Sequence, residues 1–297
     1  MIFLKKLSVA LFGGDNMKIG FIGAGKVGFS LGKYLSINNL EITGYYSKNI
    51  NSAKEAAVFT NSNYFSNLED IINQSDIIFI TTQDSFIKDV WDNIKNFTLK
   101  DKIICHCSGS LSSNIFSNIA GHDAYGYSVH PMFAFSDKYN SYKNLNKAFI
   151  SIEGSKENIN LIKDIFETLG NRVKIISKDT KYAYHCASVF ASNHVVALIN
   201  VATALLKNCG FTENEAIEAL YPLILNNIQN INEQGIVNSL TGPVERADIN
   251  TVKGHISSLS GIDKDLYLLL SEKLIEIAKV KNTNIDYSNL EKMIGEY

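Results

Sequence analysis

Neither sign of charge is in excess in this sequence. Its 28 Lys and Arg residues nearly balance 30 Asp and Glu residues, and the charges are scattered without runs of one sign. A basic surface stripe is the usual footprint of a protein that binds nucleic acid, so this balance predicts no nucleic-acid partner. The 45% hydrophobic content is that of an ordinary globular protein.

Cysteine is also scarce. The four cysteines, Cys105, Cys107, Cys186 and Cys209, are too few for a disulfide framework in a chain this long, so we expect reduced thiols and a cytoplasmic location. The Cys-His-Cys run at 105–107 could suggest a metal, but residues two apart on a strand do not supply a tetrahedral ligand set. The sequence therefore predicts no metal ion, and small buried thiols at Cys105 and Cys107.

Long apolar runs are missing as well. A membrane span needs about 20 apolar residues, and the most apolar helix, near residues 186–206, is interrupted by Asn193, His194 and Asn200. Residues 1–16 contain two lysines and a short apolar run, but no small-x-small cleavage site follows. We therefore predict no membrane partner, and interpret residues 1–16 as an extension that contributes nothing to the fold.

Two patterns of secondary structure divide the remaining chain. Up to Ser177, short β-branched strands alternate with amphipathic helices, which is typical of a mostly parallel, doubly wound α/β sheet. From Lys178 onward only helices are predicted, first one long helix up to Gly210 and then one that starts with a capping box at Thr212 and Glu215. The sequence predicts a sheet domain over residues 17–177 and a helical domain over residues 178–297.

A glycine-rich turn follows the first strand. It has the pattern G-x-G-x-x-G between a strand and a helix, in which the first glycine permits the tight turn, the second the approach of a pyrophosphate and the third helix packing. The alternative is a glycine turn without a ligand. The pattern predicts a Rossmann dinucleotide-binding domain, with cofactor-binding residues Gly23, Ala24, Gly25, Lys26, Val27 and Gly28.

The second strand lacks the acid that usually ends it. In an NAD site an Asp or Glu there holds the ribose hydroxyls, whereas this strand runs into Ser47, Lys48 and Asn49. Ser47 and Asn49 can donate to phosphate oxygens, and Lys48 can supply the countercharge to a 2′-phosphate. These residues predict NADP as the cofactor. The alternative is a solvated turn.

Polar residues also follow three other strands of the predicted sheet. Ligands lie at the carboxyl ends of the strands in such sheets, so Thr81, Thr82 and Gln83 should pass beside the cofactor ribose or nicotinamide. Ser108 ends the next strand, where it is a candidate for contact with substrate. His130 ends a third, either as a functional group or as a hydrogen-bonded structural histidine.

These segments resemble a known family. The runs KIGFIGAGKVG, DIIFITTQD, CHCSG and SVHPMFAF are similar to the Rossmann-like half of a family related to 6-phosphogluconate dehydrogenase and pyrroline-5-carboxylate reductase. The runs KYAYHCASVFASNHVVAL and LTGPVERADINTVKGH resemble its companion domain, DUF2520. The resemblance covers everything after Met17 and implies NADP-dependent oxidoreductases with an all-helical second domain like the C-terminal domain of 6-phosphogluconate dehydrogenase. The family commonly has Arg-Gly-Asp where this chain has Ala247 in the middle position.

The first helix of the helical half has a polar stripe. Lys181, His185, Ser188 and Ser192 fall at i, i+4, i+7 and i+11, with Asn193 beside them. Resembling β-hydroxyacid dehydrogenases use a lysine and an amide of the equivalent helix as general acid/base and substrate anchor, although their glycine-rich lead-in is missing here. The alternative is a stripe lining a subunit interface or a water-filled cleft. The candidate catalytic residues are Lys181, His185, Asn193, His130 and Ser108.

The function that follows is hydride transfer between nicotinamide and a small carbonyl or imine substrate, in a cleft between the two domains, with Lys181 or His185 handling the proton. The alternatives are an imine reductase like pyrroline-5-carboxylate reductase and a non-catalytic NADP-binding sensor or scaffold. The predicted helix from Ala183 to Leu206 is apolar around most of its circumference, which predicts a homodimer through the helical half. Arg246 could hold a substrate carboxylate or the partner subunit.

Overall fold

A computed structural model of the chain describes residues 17–297, so the predicted extension over residues 1–16 lies outside the described residues. Eight strands form a single sheet in the order β3-β2-β1-β4-β5-β6-β7-β8, and every neighbouring pair is parallel except the antiparallel pair β6–β7. The strands are β1 (Lys18–Ile22), β2 (Glu41–Tyr46), β3 (Asn63–Phe65), β4 (Ile77–Ile80), β5 (Ile103–His106), β6 (Tyr125–Met132), β7 (Phe149–Gly154) and β8 (Arg172–Ile175). The predicted doubly wound, mostly parallel sheet is confirmed.

The sheet is covered on both faces. Successive side chains of β4 alternate between two apolar layers, with Ile77 and Phe79 in one and Ile78 and Ile80 in the other. The helices that cover it are α1 (Lys26–Ile37), α2 (Ile50–Thr60), α3 (Leu68–Asn73), α4 (Asp84–Ile94) and α5 (Ile159–Thr168). Because both faces are buried, the strands consist of apolar runs instead of an apolar–polar alternation.

The strand order reverses between β1 and β4, which lie side by side at the centre of the sheet. From β1 the chain proceeds outward to β2 and β3, and it returns to β4 before continuing to β5 and β6. In open α/β sheets the crevice at the carboxyl ends of the strands at such a reversal is the usual ligand site. The glycine turn after β1 lies at this point.

The remaining helices are α6 (Lys181–Phe190), α7 (Asn193–Asn208), α8 (Glu213–Ser239), α9 (Ile249–Ser257), α10 (Gly261–Lys281) and α11 (Ser288–Gly295). The chain divides into two compact units between Ser192 and Asn193, which we call the sheet unit and the helical unit. Strands end before Ser177, at the predicted change of pattern, yet α6 belongs to the sheet unit. The predicted capping box at Thr212 and Glu215 is present at the start of α8.

One helix prediction was wrong. The segment predicted as a single helix up to Gly210 forms two helices, α6 and α7, which are separated at Ala191 and Ser192. Ser188 and Ser192 each donate their hydroxyl to a backbone carbonyl four residues earlier. Such side-chain bonds compete with the helical backbone ladder and bend helices, which accounts for the interruption.

The helical unit has a small core of its own. Eight side chains form it, all from the segment after α8: Val244, Val252, Ile256, Ile275, Ala278, Tyr287, Leu290 and Ile294. Helices α7 and α8 pack on each other but bury only Thr203 and Ala216, respectively. Most of their apolar side chains therefore remain exposed.

The segment Lys178–Asn208 is long and apolar enough, by length and composition alone, to cross a membrane, and few of its residues are buried. The sequence predicted no stretch apolar for long enough to span a membrane, and this segment differs from that prediction. Length and composition do not separate a membrane helix from a helix that another protein surface covers.

Candidate active site at the carboxyl edge of the sheet

The glycine turn has the geometry that a bound dinucleotide requires. Gly23 has a φ of +111°, and a Cβ there would lie 2.9 Å from the backbone of Thr81. A Cβ on Gly28 would lie 2.3 Å from the Thr81 hydroxyl, so this helix approach also requires glycine. A Cβ on Gly25, in contrast, would meet no atom from other parts of the described chain within 4 Å. Gly25 therefore leaves open space at the point where a pyrophosphate would approach.

The start of α1 supports the same interpretation. Gly25 is its N-cap residue and supplies no side-chain hydrogen bond, and the first turn contains no acid. The amides at the N-terminus and the positive end of the helix dipole therefore face outward without a competing carboxylate. In the turn itself Ala24 is buried, Val27 is half-buried and Lys26 is exposed.

The turn after β4 is hydrogen-bonded to the glycine turn. The Thr81 hydroxyl donates to the carbonyl of Gly23 at 2.9 Å, so this side chain fixes the loop and is not itself free for a ligand. Thr82 Oγ1 is buried and has no hydrogen-bond partner in residues 17–297. Gln83 is exposed at the N-terminus of α4. The unpaired Thr82 hydroxyl is the atom here that a bound cofactor would satisfy.

The end of β2 places three polar residues beside the glycine turn, because Gly23 donates its backbone N–H to the carbonyl of Tyr46 at 2.8 Å. Ser47 is half-buried, and Lys48 and Asn49 are exposed. The Asn49 side-chain oxygen accepts from the backbone of Asn51 and caps α2, which leaves its amide N–H groups as the available donors. The first turn of α2 contains no acid that would repel a phosphate at this position.

Lys181 is the most deeply buried charge of this edge. Its side chain on α6 is 1% exposed, and Nζ donates to the carbonyl of Ser108 at 2.9 Å and to the hydroxyl of Ser128 at 2.7 Å. Burial lowers the pKa of Lys181 to about 8, and the negative charges of Glu153 and Asp84 oppose that shift. Desolvation is therefore the main cause of the lowered pKa.

The rings of two histidines pack against Gly109, the residue after Ser108. A Cβ on Gly109 would lie 2.5 Å from His185 Nδ1 and 3.0 Å from His130 Nε2, so only glycine permits this approach. His130 Nδ1 is 2.9 Å from the Tyr184 hydroxyl, and burial lowers the pKa of His130 to about 4, with the charges of Lys181 and His185 adding to the effect. His130 is therefore neutral near pH 7.

His185, like Thr82, has a buried polar atom that lacks a partner. Its Nδ1 is buried and makes no hydrogen bond within residues 17–297, although the ring lies edge-on to His130 with centroids 6.2 Å apart. An unpaired buried nitrogen costs free energy that a bound substrate could recover. The i, i+4 spacing of Lys181 and His185 brings both side chains to one edge of the sheet, as the stripe predicted.

Three charged or polar neighbours of the site were missed. Asp84 Oδ2 accepts from the hydroxyls of Ser108 and Ser110, at 2.6 and 3.1 Å, and its position at the start of α4, just beyond the turn after β4, could have identified it. Ser128 and Glu153 gave no sequence signal, because only the antiparallel pairing of β6 with β7 sets them side by side. The Ser108 hydroxyl is fully engaged, since it also accepts from the backbone of Ser110 and Leu111.

The remaining residues of the stripe lie further along the chain. Ser188 and Ser192 donate their hydroxyls to the backbone carbonyls of Tyr184 and Ser188, and Asn193 begins α7 in the helical unit. The role of Asn193 as a substrate anchor stays a prediction. In the described part of the chain, no group of three or more His, Cys, Asp or Glu side chains is arranged to hold a metal ion.

The motif around Arg246 is organised as a turn. Ala247 has a φ of +53°, and Asp248 caps α9 by accepting from the backbone and hydroxyl of Thr251. Arg246 is exposed. His255 Nδ1 lies 2.9 Å from the Tyr267 hydroxyl. Asp248 is thus committed to its helix, and the binding role of Arg246 stays a prediction.

The glycine turn lies where the strand order of a doubly wound sheet reverses, and the N-terminal amides of α1 are accessible there. Lys181 and His185 lie at the same edge of the sheet. This combination is typical of dinucleotide-dependent oxidoreductases. Two sequence models of protein families agree. Residues 18–108 match NADP oxidoreductase, coenzyme F420-dependent, and residues 148–274 match a domain of unknown function, DUF2520. The chain thus combines an NADP oxidoreductase domain with a DUF2520 domain. The resemblance predicted from the sequence is confirmed.

Known structures support the same assignment. A protein from Bacteroides fragilis described as an NADP oxidoreductase is 26% identical, with a TM-score of 0.71 over 88% of this chain and 98% of that one. A Thermotoga maritima protein is also 26% identical, with a TM-score of 0.73 over 89% and 99% of the two chains. Pyrroline-5-carboxylate reductase of Pisum sativum is 25% identical over 173 residues, which are 57% of this chain and 59% of the pea enzyme.

Proposed function

We propose that this protein transfers a hydride between NADP and the carbon of a small carbonyl or imine substrate. The observation that carries the proposal is the unpaired, buried Nδ1 of His185, which lies over Gly109 at the same sheet edge as the glycine turn. A hydride transfer to C=O or C=N also requires a proton at the heteroatom, and a histidine with a free nitrogen suits that task.

The roles of Lys181 and His185 separate in this proposal. Lys181 is 1% exposed and donates to Ser108 and Ser128, so we assign it to positioning. His185 is half-buried with its Nδ1 free, and we assign it to proton transfer. His130, neutral near pH 7 and held by Tyr184, would present Nε2 to the substrate as a neutral hydrogen-bonding group.

The cofactor would be held by the residues predicted for it. The amides that follow Gly25 suit the pyrophosphate, and Ser47, Lys48 and Asn49 suit the 2′-phosphate. The buried hydroxyl of Thr82 would form a hydrogen bond with the cofactor. Gln83, the next residue, is exposed. Bound nicotinamide supplies or accepts the hydride.

The test is a hydride-transfer screen of the full chain. NADPH oxidation is followed at 340 nm with pooled aldehydes, keto acids and cyclic imines, and NADH serves as the matched control cofactor. We expect turnover with NADPH on at least one pool. Tight NADPH binding without turnover on any pool would favour the sensor or scaffold instead. Because the matched family description names coenzyme F420, reduced F420 with NADP forms one further arm.

The main alternative substrate is a cyclic imine that carries a carboxylate, as in the pea relative, pyrroline-5-carboxylate reductase. Arg246, exposed in a turn that precedes α9, is the candidate residue of this chain that would donate hydrogen bonds to the substrate carboxylate. A preference of more than about tenfold for carboxylated over uncharged imines, lost in Arg246→Ala, would support this alternative. Equal rates on both would exclude it.

We also propose a cytoplasmic homodimer formed through the helical unit. The support is the exposed apolar surface of α7 and α8, on which Tyr221 is 64% and Leu223 60% exposed. A second copy is the occupant that a closed, self-complementary assembly provides. In this proposal the second copy also covers the apolar segment Lys178–Asn208, and recovery of the full chain in the membrane fraction would contradict it.

A further inference from the structure

The loop of residues 108–113, which we call the serine loop, is held at both ends by buried charges. At its start, Lys181 donates to the carbonyl of Ser108 at 2.9 Å. At its end, Ser113 donates to Glu153, through its backbone N–H to Oε1 at 2.5 Å and through its hydroxyl to Oε2 at 2.9 Å. A lysine and a glutamate from different elements thus fix the same short loop.

Both attachments rest on one pair of strands. Ser128 of β6 pairs with Glu153 of β7 in the antiparallel register, so the two side chains stand next to each other on one face of the sheet. Ser128 accepts the second hydrogen bond of Lys181, and its own hydroxyl lies 3.2 Å from the carbonyl of Ser108. Both ends of the serine loop are therefore hydrogen-bonded to side chains that belong to the sheet or are held by it.

Burial of the Glu153 side chain costs desolvation free energy. It is 3% exposed, and a buried carboxylate is tolerated only when hydrogen bonds replace its water. Both of its oxygens are used by Ser113, and such charge-assisted bonds are about twice as strong as neutral ones. The residue thus contributes a rigid attachment for a loop instead of apolar core.

The attachment matters because of what the serine loop carries. Gly109 lies against the rings of His130 and His185, where a Cβ would already be within 2.5 Å of His185 Nδ1. A movement of this loop by a fraction of an ångström would change the space beside the two histidines. Catalytic groups need to be held within about 0.5 Å of their productive positions, which a free six-residue loop does not ensure.

We propose that Glu153 is a positioning residue of the reaction: with Lys181 it fixes the two ends of the serine loop and so holds Gly109 against His130 and His185. Its consequence for turnover rests on the proposed function, whereas its effect on the loop does not.

Hydrogen–deuterium exchange on the full chain tests the attachment without any substrate. Glu153→Leu removes both acceptors, and exchange of peptides covering residues 108–113 should accelerate at least roughly tenfold. Glu153→Gln keeps one acceptor for the Ser113 N–H and an amide N–H for its hydroxyl, so its exchange should stay close to wild type. Glu157→Gln, at an exposed position in the connection that follows β7, is the matched control.

Several results would overturn the attachment. Unchanged loop exchange in Glu153→Leu would do so, and equal acceleration over the whole chain would indicate a general loss of stability. Acceleration in Glu153→Gln as large as in Glu153→Leu would assign the effect to charge and not to hydrogen bonds.

Kinetics test the positioning role. On a substrate from the NADPH screen, Glu153→Leu should lower kcat at least roughly tenfold while NADPH affinity stays at the wild-type value. A mobile loop with wild-type kcat would overturn the positioning role and leave the proposed function intact. Absence of turnover in the wild type would count against the proposed function, and the exchange result would still decide the attachment.

Discussion

The two compact units treat their apolar side chains in opposite ways. In the sheet unit, large rings such as Phe21, Tyr45 and Trp91 are fully enclosed between the sheet and its helices. In the helical unit, the core comes from the segment after α8, and α7 and α8 bury one residue each. A sheet covered on both faces is complete by itself, whereas α7 and α8 present an apolar surface that another surface has to cover.

The difference suggests a division of tasks. Precise chemistry needs groups held on a rigid scaffold, and the candidate groups Lys181, His130 and His185 are all in the sheet unit. An open apolar surface is instead suited to assembly. If this comparison is right, substitutions at the sheet edge should change chemistry without changing assembly, and substitutions on α8 should do the reverse.

The largest effect is expected at the sheet edge. His185→Ala should lower turnover roughly 10²–10⁴-fold, because it removes the proposed proton donor, and leave NADPH affinity near wild type. The matched control is Ser188→Ala on the same helix, whose hydroxyl donates to the backbone carbonyl of Tyr184. Steady-state kinetics per folded molecule provide the measurement. Wild-type turnover in His185→Ala would move the proton transfer to another group.

The next effect tests cofactor selectivity in the same unit. Lys48→Glu should weaken NADPH binding roughly tenfold to 150-fold, or about 1.5–3 kcal/mol, because a charge-assisted contact with the 2′-phosphate becomes repulsive. NADH binding should change little. Lys100→Glu makes the same charge change on an exposed residue away from the site. Fluorescence titration of both cofactors is the measurement, and equal wild-type affinities would refute NADP selectivity.

The helical unit is tested by assembly. Leu223→Lys should weaken the proposed dimer by about 1.5–3 kcal/mol, since an apolar side chain would lose its cover, with no change in NADPH affinity. Val58→Lys, on an exposed position of α2 in the sheet unit, is the control and should not alter the mass. Light scattering over a range of concentrations measures both. A wild-type monomer at micromolar concentration would contradict the dimer.

A smaller effect is expected on the pH dependence of stability, through the lowered pKa of Lys181. Its pKa is about 8 when folded, against an ordinary value of 10.5. Between these pH values the unfolded chain binds more protons, so the free energy of unfolding should rise with pH, by at most about 1.4 kcal/mol per unit.

Other groups also titrate in this range, so the comparison is with Lys181→Met, which lacks this contribution. The stability difference, wild type minus variant, should increase from pH 8 to pH 10 in urea melts. A constant difference would mean that the pKa of Lys181 is not lowered in the folded protein.

The smallest effect concerns the turn before α9. Ala247 has a φ of +53°, which costs an L-residue about 1–2 kcal/mol, and glycine gives back about 0.4–1 kcal/mol through the unfolded chain. Ala247→Gly should therefore stabilise the protein by up to about 1 kcal/mol in urea melts. Ala183→Gly in α6 has normal helical geometry and should destabilise it by a similar amount. Destabilisation by Ala247→Gly would show that the alanine methyl group packs usefully.

Local patterns were sufficient for much of the fold, and they are also the basis on which the cofactor turn is predicted. The period of the strands, the glycine spacing after β1 and the capping box at Thr212 are short-range features, so the sequence alone predicted a doubly wound sheet, helices after residue 177 and an NADP-type turn at Ser47–Asn49. The helix break at Ala191 was not predicted, because apolar periodicity continues across it while serine hydroxyls compete with the backbone.

What the sequence determined by itself is therefore the class of the protein and the side chains available to it. Only the tertiary structure decided what those side chains do. The i, i+4 spacing placed Lys181 and His185 on one face, but burial against Ser108 and Ser128 turned the lysine into a support, and the approach of Gly109 left His185 Nδ1 unpaired. Both outcomes depend on the pairing of β5 with β6 and on a loop many residues away, and contacts of such long range leave no periodic trace in a sequence.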